Sequence, residues 1–356
     1  MNNIIDYIRE YKDITFKEHP FNEVDALVLS QFSYLKWEHV IPRLQDNDEG
    51  ITLTEMSKRM LDAEVFVYER FVENNRAMWA AMLESKRYST MKCNYLSVDL
   101  NRNLETQFMA FVAFPDDSLP VIVYRGTDET LLGWKEDYNM ALNMPIVGQN
   151  LASLYLKQVA LRLDGKFNIA GHSKGGNLAA YSAMDSSAEL RERINIIYDF
   201  DGPHFRPELL EKLDYEAIKP KLHKFIPQSS VIGILLETDH YYTVIKSDAY
   251  SGIQQHDPFM WVVKGSSFKR LDKVNKHSIR LNEKMIELLW YLTIDQVYEF
   301  GRGLFEIVGL DKIYSIDEIE KKSMGDIASA AIKNISDIDM DTRKLMREVI
   351  KEFIKG

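Results

Sequence analysis

The chain has 356 residues, 46% of them apolar and 28% charged, with a formal net charge of -10. That length suits one large α/β domain with an appendage, or two domains. The negative balance argues against a nucleic-acid surface, which needs clustered Lys and Arg, and gives no attraction to an anionic membrane.

The N-terminal part reads as helical. Apolar residues recur at helical spacing from Asp25 to Tyr34. Thr54-Glu55-Met56-Ser57 looks like a helix start after the turn-like Asn47-Asp48-Glu49-Gly50, and Ala63 to Leu83 continues helical. Asp6, Arg9 and Glu10 interrupt the apolar stretch that a signal peptide would need, so a cytoplasmic protein is expected.

From about residue 95 the pattern changes. Phe108 to Phe114 is a buried-strand run, Pro115 to Ser118 is turn chemistry, and Leu119 to Tyr124 is a second strand. Gln149 to Leu163 is helical and Phe167 to Ala170 a strand. Leu178 to Leu190 is again helical and Ile194 to Phe200 a strand. Pro207 to Leu213 is a short helix, and three more strands follow at Leu222 to Ile226, Tyr241 to Ile245 and Phe259 to Val263. Such alternation predicts a mostly parallel sheet flanked by helices. The longest apolar runs, such as Val231 to Leu236, are too short to span a bilayer, although peripheral membrane contact is compatible with them.

After about residue 277 the strands stop. Leu281, Met285, Leu288, Leu289 and Leu292 share a helical face. So do Val297, Phe300, Leu304, Phe305 and Val308, and so do Met346, Val349, Ile350, Phe353 and Ile354. Residues 1–276 are therefore read as the sheet domain, with residues 1–90 as its helical N-terminal segment, and 277–356 as a helical appendage. Its expected role is packing.

Gly171-His172-Ser173-Lys174-Gly175 falls where a strand gives way to a helix. A nucleophile at such a turn has a strained backbone and an exposed Oγ. Small residues two before and two after let strand and helix pass closely. Gly176 and Ala179 extend the run of small residues, and the helix N-terminus favours developing negative charge. The alternative is a glycine-rich turn carrying a solvent-facing serine. An oxyanion hole needs two N–H donors. Lys174 offers one, directly after Ser173, and Thr127 in the turn Arg125-Gly126-Thr127 offers the other. Cys93 is the only cysteine, so no intrachain disulfide or thiolate metal cluster can form, and no HExxH or clustered ligand spacing appears. No metal and no cofactor is expected.

Tyr124-Arg125-Gly126-Thr127, then Trp134 and Asp137, then Gly171-His172-Ser173-Lys174-Gly175-Gly176-Asn177 resembles the class 3 lipase pattern within the α/β-hydrolases. The resemblance is closer to a bacterial family of lipase-like proteins, the Mbeg1-like family (DUF2974). That family shares Gly-His-Ser-Lys-Gly-Gly-Asn, an Asp-Gly-Pro segment, here Asp201-Gly202-Pro203, and a Gln-His-Asp-Pro segment, here Gln255-His256-Asp257-Pro258. It implies the α/β-hydrolase fold and narrows the fold more than the function. Class 3 lipases also place a lid after the oxyanion loop. Leu131 to Trp134 and Met140 to Gly148 are apolar enough either to cover an acyl pocket or to pack on the N-terminal helices.

In this fold the triad runs Ser, acid, His along the chain. Five histidines follow Ser173: His204, His223, His240, His256 and His277. His256 lies on a loop after late strands and matches the family segment, so it is the candidate base. Class 3 lipases carry their Asp in a stretch equivalent to Phe225 to Val231, which here holds Ser229 and Ser230 instead. Asp201, at the end of the preceding strand, is the substitute, since neighbouring strand ends lie about 5 Å apart. Asp199, Asp239 and Asp248 are the other candidates. The reading is a serine hydrolase acting on an acyl ester or lipid-like small molecule, with Ser173, His256 and Asp201 as triad. A scaffold without catalysis and a thioesterase or acyltransferase are the alternatives.

Overall fold

The computed structural model describes residues 2–46, 49–59, 71–101, 106–127, 140, 145–250, 252–293, 295–297, 299–301, 303, 332 and 335–355. Four helices open the chain among these residues: α1 (Ile4–Glu10), α2 (Glu23–Phe32), α3 (Leu53–Arg59) and α4 (Val72–Glu84). Asn3 and Asn22 cap the first two. Each side-chain oxygen accepts N–H groups of the first turn, while Asp6 and Asp25 accept the cap residue's own N–H in return. The expected helix over 63–70 lies outside the described residues, as do Leu304, Phe305 and Val308 and the side chains of Phe353 and Ile354.

A nine-stranded sheet follows the strand order of the sequence with one substitution at the end. Its strands are β1 (Ile51–Thr52), β2 (Lys92–Asn101), β3 (Thr106–Phe114), β4 (Val121–Tyr124), β5 (Phe167–His172), β6 (Ile194–Phe200), β7 (Leu222–Pro227), β8 (Thr243–Ile245) and β11 (Arg270–Leu271). The five strands β4 to β8 are parallel; the pairs on either side are antiparallel. The remaining strands, β9 (Val263–Lys264) and β10 (Ser267–Phe268), form a separate hairpin.

Period-two alternation explains how the sheet is covered on both faces. In β3, Met109, Phe111 and Ala113 pack with the N-terminal helices, whereas Phe108, Ala110 and Val112 pack with the helices that connect the parallel strands. Every residue from Thr106 to Ala113 is buried, which accounts for the continuous apolar run. The connecting helices are α5 (Val147–Ala160), α6 (Lys174–Met184), α7 (Ala188–Arg193), α8 (Pro207–Leu210) and α9 (Tyr215–Ile218).

The N-terminal segment is anchored by a buried polar network. Arg87 donates to both oxygens of Asp25, through Nε at 2.8 Å and Nη2 at 2.6 Å, and Tyr7 and Tyr88 add their hydroxyls to Oδ1 at 3.1 and 2.5 Å. With the Asn22 N–H on Oδ2 at 3.0 Å, five donors on one dry carboxylate tie α1, α2 and the segment before β2 together. At the other end of the chain, α10 (Lys276–Leu289) and α11 (Met340–Lys355) pack through Leu281, Leu288, Met346, Val349 and Ile350. His277 Nδ1 reaches Glu352 across that pair at 2.9 Å.

Three sequence expectations change. The single helix over Leu178 to Leu190 is two, because Asp185-Ser186-Ser187 ends α6 and Ser187 caps α7. Phe259 to Val263 is not a strand: Pro258–Met260 is a 3-10 turn, which Pro258 favours by fixing its own backbone, and only Val263 enters a strand. β2 is an additional strand. Its polar Asn94, Ser97 and Asp99 hide the alternation, and a bulge between Asn94 and Ser97 puts Tyr95 at a φ of 57°. No described helix is long and apolar enough to cross a membrane.

Candidate active site

The parallel strands all end at one edge of the sheet, where Tyr124 pairs with Gly171, His172 with Phe200, Phe200 with Phe225 and Pro227 with Ile245. Ligand sites of open α/β sheets assemble at this carboxyl edge. Ser173 follows β5 there and starts α6, with φ 58° and ψ -131°. That conformation is strained for a side chain with a Cβ, and it persists only where surrounding structure enforces it. The Ser173 N–H donates to the Phe200 carbonyl at 2.9 Å. A Cβ on Gly171 would fall 2.2 Å from the Gly175 carbonyl carbon, and one on Gly175 would fall 2.2 Å from the Tyr124 oxygen. Strand and helix cross too closely for any larger residue, so the glycine spacing has a packing cause.

Asp201 follows β6 on the neighbouring strand, also at positive φ, 54°. Its side chain is fully buried, and Oδ2 lies 2.6 Å from His256 Nδ1. Because a carboxylate only accepts, Nδ1 carries the hydrogen, and a neutral ring then keeps its lone pair on Nε2. The other oxygen, Oδ1, accepts the Ser230 hydroxyl at 2.6 Å and the Gly233 N–H at 3.1 Å. Three donors therefore hold one carboxylate. Ser230 stands in the stretch where class 3 lipases carry their acid. Read in sequence it is a departure; in space it supports an acid supplied by the strand before.

His256 closes the 3-10 turn Gln254–His256, and its carbonyl sits 3.0 Å from His172 Nε2. The two imidazoles lie 4.5 Å apart between centroids. Thus the candidate base is bonded to the residue directly before Ser173 as well as to Asp201. His204, His223, His240 and His277 are elsewhere. His204 faces Glu237, His223 is exposed on β7, His240 meets Tyr242 edge-on, and His277 bonds Glu352 across the C-terminal helices.

The other candidate acids are also occupied elsewhere. Asp239 binds Lys219 Nζ at 2.7 Å and Asp248 binds Lys246 Nζ at 2.8 Å. Asp199 is turned beneath the elbow, where Oδ1 accepts the Gly202 N–H at 2.9 Å. Burial pushes its carboxyl up to about 7, against the opposing pull of Lys224.

Thr127 leaves β4 three residues after Tyr124, as Lys174 leaves β5 three residues after its partner Gly171, so the two proposed N–H donors emerge from adjacent strand ends. The turn is pressed against the elbow: a Cβ on Gly126 would lie 2.6 Å from the His172 oxygen and 2.0 Å from the Tyr34 hydroxyl. The Lys174 side chain is buried and its Nζ donates to the Gln107 carbonyl at 2.9 Å. Arg125 is buried too, with Nη1 3.1 Å from Glu38. Leu131 to Trp134, Asp137 and Ala141 to Met144 lie outside the described residues; Met140 and Ile146 are buried.

Among the described residues one group has ligand atoms close enough for a metal ion, His204, Glu237 and Asp239, all within 4.8 Å. Lys224 Nζ lies 3.0 Å from Glu237 and Lys219 Nζ 2.7 Å from Asp239, so ammonium groups already balance both carboxylates. A cleft of about 220 Å³ beside them is lined by Leu213, Asp214, Tyr215, Lys219 and Asp239, with no residue of the Ser173 cluster in its wall.

Fold and elbow together define an α/β-hydrolase-fold protein with a serine at the strand-to-helix elbow. The chain belongs to the Mbeg1-like family, whose model matches residues 82–306. Among solved structures, the crystal structure of M37 lipase is similar at 13% identity and a TM-score of 0.40, over 88% of this chain and 90% of that one. No curated protein matches the sequence.

Tyr34, His172, Ser230 and Gly233 take part in the site without having been singled out as site residues in the sequence. His172 and Ser230 stood inside motifs already noted. Nothing local marked Tyr34 or Gly233, whose roles come from contacts across the fold.

Proposed function

We propose that the protein is a serine hydrolase that cleaves a carboxylic ester through an acyl-enzyme on Ser173. The observation that carries this reading is the 2.6 Å bond from His256 Nδ1 to the buried, triply bonded Asp201, which follows the strand next to the one that leads into Ser173, a serine held at φ 58°. In the proposed reaction His256 Nε2 takes the Ser173 proton as Oγ attacks the carbonyl carbon. Asp201 keeps the imidazole in the Nδ1–H tautomer and stabilises the imidazolium. The Thr127 and Lys174 N–H groups donate to the oxyanion, helped by the positive end of α6. His256 then protonates the leaving alcohol, and water activated by the same imidazole releases the acid. A thioester, or an acceptor other than water, would use the same nucleophile.

A fluorophosphonate probe tests this directly. Wild-type protein should be labelled and Ser173→Ala should not. Failure of well-folded wild-type protein to react would reject the hydrolase reading in favour of a scaffold without catalysis. Esters of graded acyl length would then define the substrate.

A further inference from the structure

We propose that Tyr34 and His172 are positioning residues for His256, and that Tyr34 acts by setting the tautomer of His172. The proposal rests on the hydrolase reading for its catalytic consequence. Its geometric content stands separately.

His172 Nε2 lies 3.0 Å from the carbonyl oxygen of His256. A carbonyl only accepts, so Nε2 must carry the hydrogen. Burial, and next the neighbouring His256, hold the His172 imidazole neutral, well below the usual histidine range. A neutral ring with hydrogen on Nε2 has its lone pair on Nδ1. The Tyr34 hydroxyl sits 2.9 Å from that atom and donates to it. Each bond requires the other: with the hydrogen on Nδ1 instead, Nε2 would point a lone pair at the His256 carbonyl. Tyr34 thus selects the one form of His172 that can hold the turn bearing the base.

The same hydroxyl touches the oxyanion turn, since a Cβ on Gly126 would come within 2.0 Å of it. One phenol therefore abuts the proposed oxyanion turn and, through His172, secures the 3-10 turn that presents His256. Tyr34 follows α2 directly, its N–H bonded to the Gln31 carbonyl at 3.1 Å. Residue 34 precedes the segment matched by the family model, which begins at 82. The N-terminal helical segment is by this argument part of the catalytic apparatus, in addition to covering one face of the sheet.

The test is Tyr34→Phe, which removes one oxygen, with His172→Asn as a second variant and the double variant to close the cycle. The first readout is the far-downfield proton resonance of His256 Nδ1–H, which reports its bond to Asp201 whether or not the protein is an enzyme. The second is the fluorophosphonate labelling rate. In folded Tyr34→Phe the resonance should shift or broaden and labelling should slow roughly 10- to 100-fold, the cost of a small misplacement of a catalytic group. The double variant should be little slower than the worse single one, because the residues act in series. An unchanged resonance in a folded variant would overturn the proposal, as would single effects that simply multiply. Were the wild type inert to the probe, the hydrolase reading would fall, and the resonance alone would decide whether Tyr34 positions His256.

Discussion

Ser230, in the turn three residues after β7, donates its hydroxyl to Asp201, directly after β6, at 2.6 Å. The stretch that, by resemblance, corresponds to the acid-bearing segment of class 3 lipases thus holds a group that orients an acid from the adjacent strand. Strand ends about 5 Å apart make this exchange geometrically inexpensive, since a carboxylate from either can reach the same imidazole. Ser230→Ala should leave the protein folded and slow labelling of Ser173 about 10-fold. Loss of a hydrogen bond to a charged group costs about 1.5–3 kcal/mol, which should also appear as a lower urea midpoint.

Removing the charge itself should do more. Asp201→Asn preserves the shape of the side chain but no longer stabilises the Nδ1–H tautomer or the imidazolium of His256. By the behaviour of serine triads the rate should fall about 10⁴-fold. Asp239→Asn, whose partner is Lys219, should label at the wild-type rate. If Asp239→Asn alone abolished labelling, the assignment of the acid to Asp201 would be wrong.

Asp199 makes stability depend on pH in an unusual direction. Burial pushes its carboxyl up to about 7 in the folded protein, whereas an unfolded chain has an Asp near about 3.9. Between these values the native state holds a proton that the unfolded state has released. The contribution is therefore fully present below about 4 and is lost as pH rises through about 7. Asp199→Asn keeps an oxygen to accept the Gly202 N–H and has no proton to lose. Its stability relative to wild type should rise across this window by an order of a few kcal/mol, measured as urea midpoints at a series of pH values. A constant difference between the two proteins would exclude this origin.

The Asp25 network should dominate the stability of the N-terminal segment. Asp25→Ala leaves the Arg87 guanidinium, whose side chain is fully buried, without its carboxylate. Breaking a buried pair in this way costs about 3–5 kcal/mol. Thermal unfolding should show a large drop, and Asp25→Asn should be milder because it retains one acceptor for Tyr88 and Tyr7.

Local signals were the legible ones. Gly171-His172-Ser173-Lys174-Gly175 could be read as an elbow because the cause is local: an apolar strand, two glycines where backbones cross, and a helix directly after. The buried run of β3 and the alternation from β4 to β7 were equally plain, since covering both faces of a strand demands continuous apolar residues. β2 was not legible, because polar residues and a bulge interrupt its period. Phe259 to Val263 misled in the opposite sense: its apolar residues serve a 3-10 turn, and apolar content alone does not distinguish turn from strand when both are buried.

The sequence by itself determined the strand-to-helix elbow around Ser173 and the helical character of the described parts of the two ends. These follow from residue types and spacing along the chain. Only the tertiary structure decided which carboxylate meets His256, that Ser230 and Gly233 hold it, and that Tyr34 reaches His172 from 138 positions away. Hydrogen bonds act over about 3 Å, and sequence spacing carries no information about which distant groups the packed core brings to that distance.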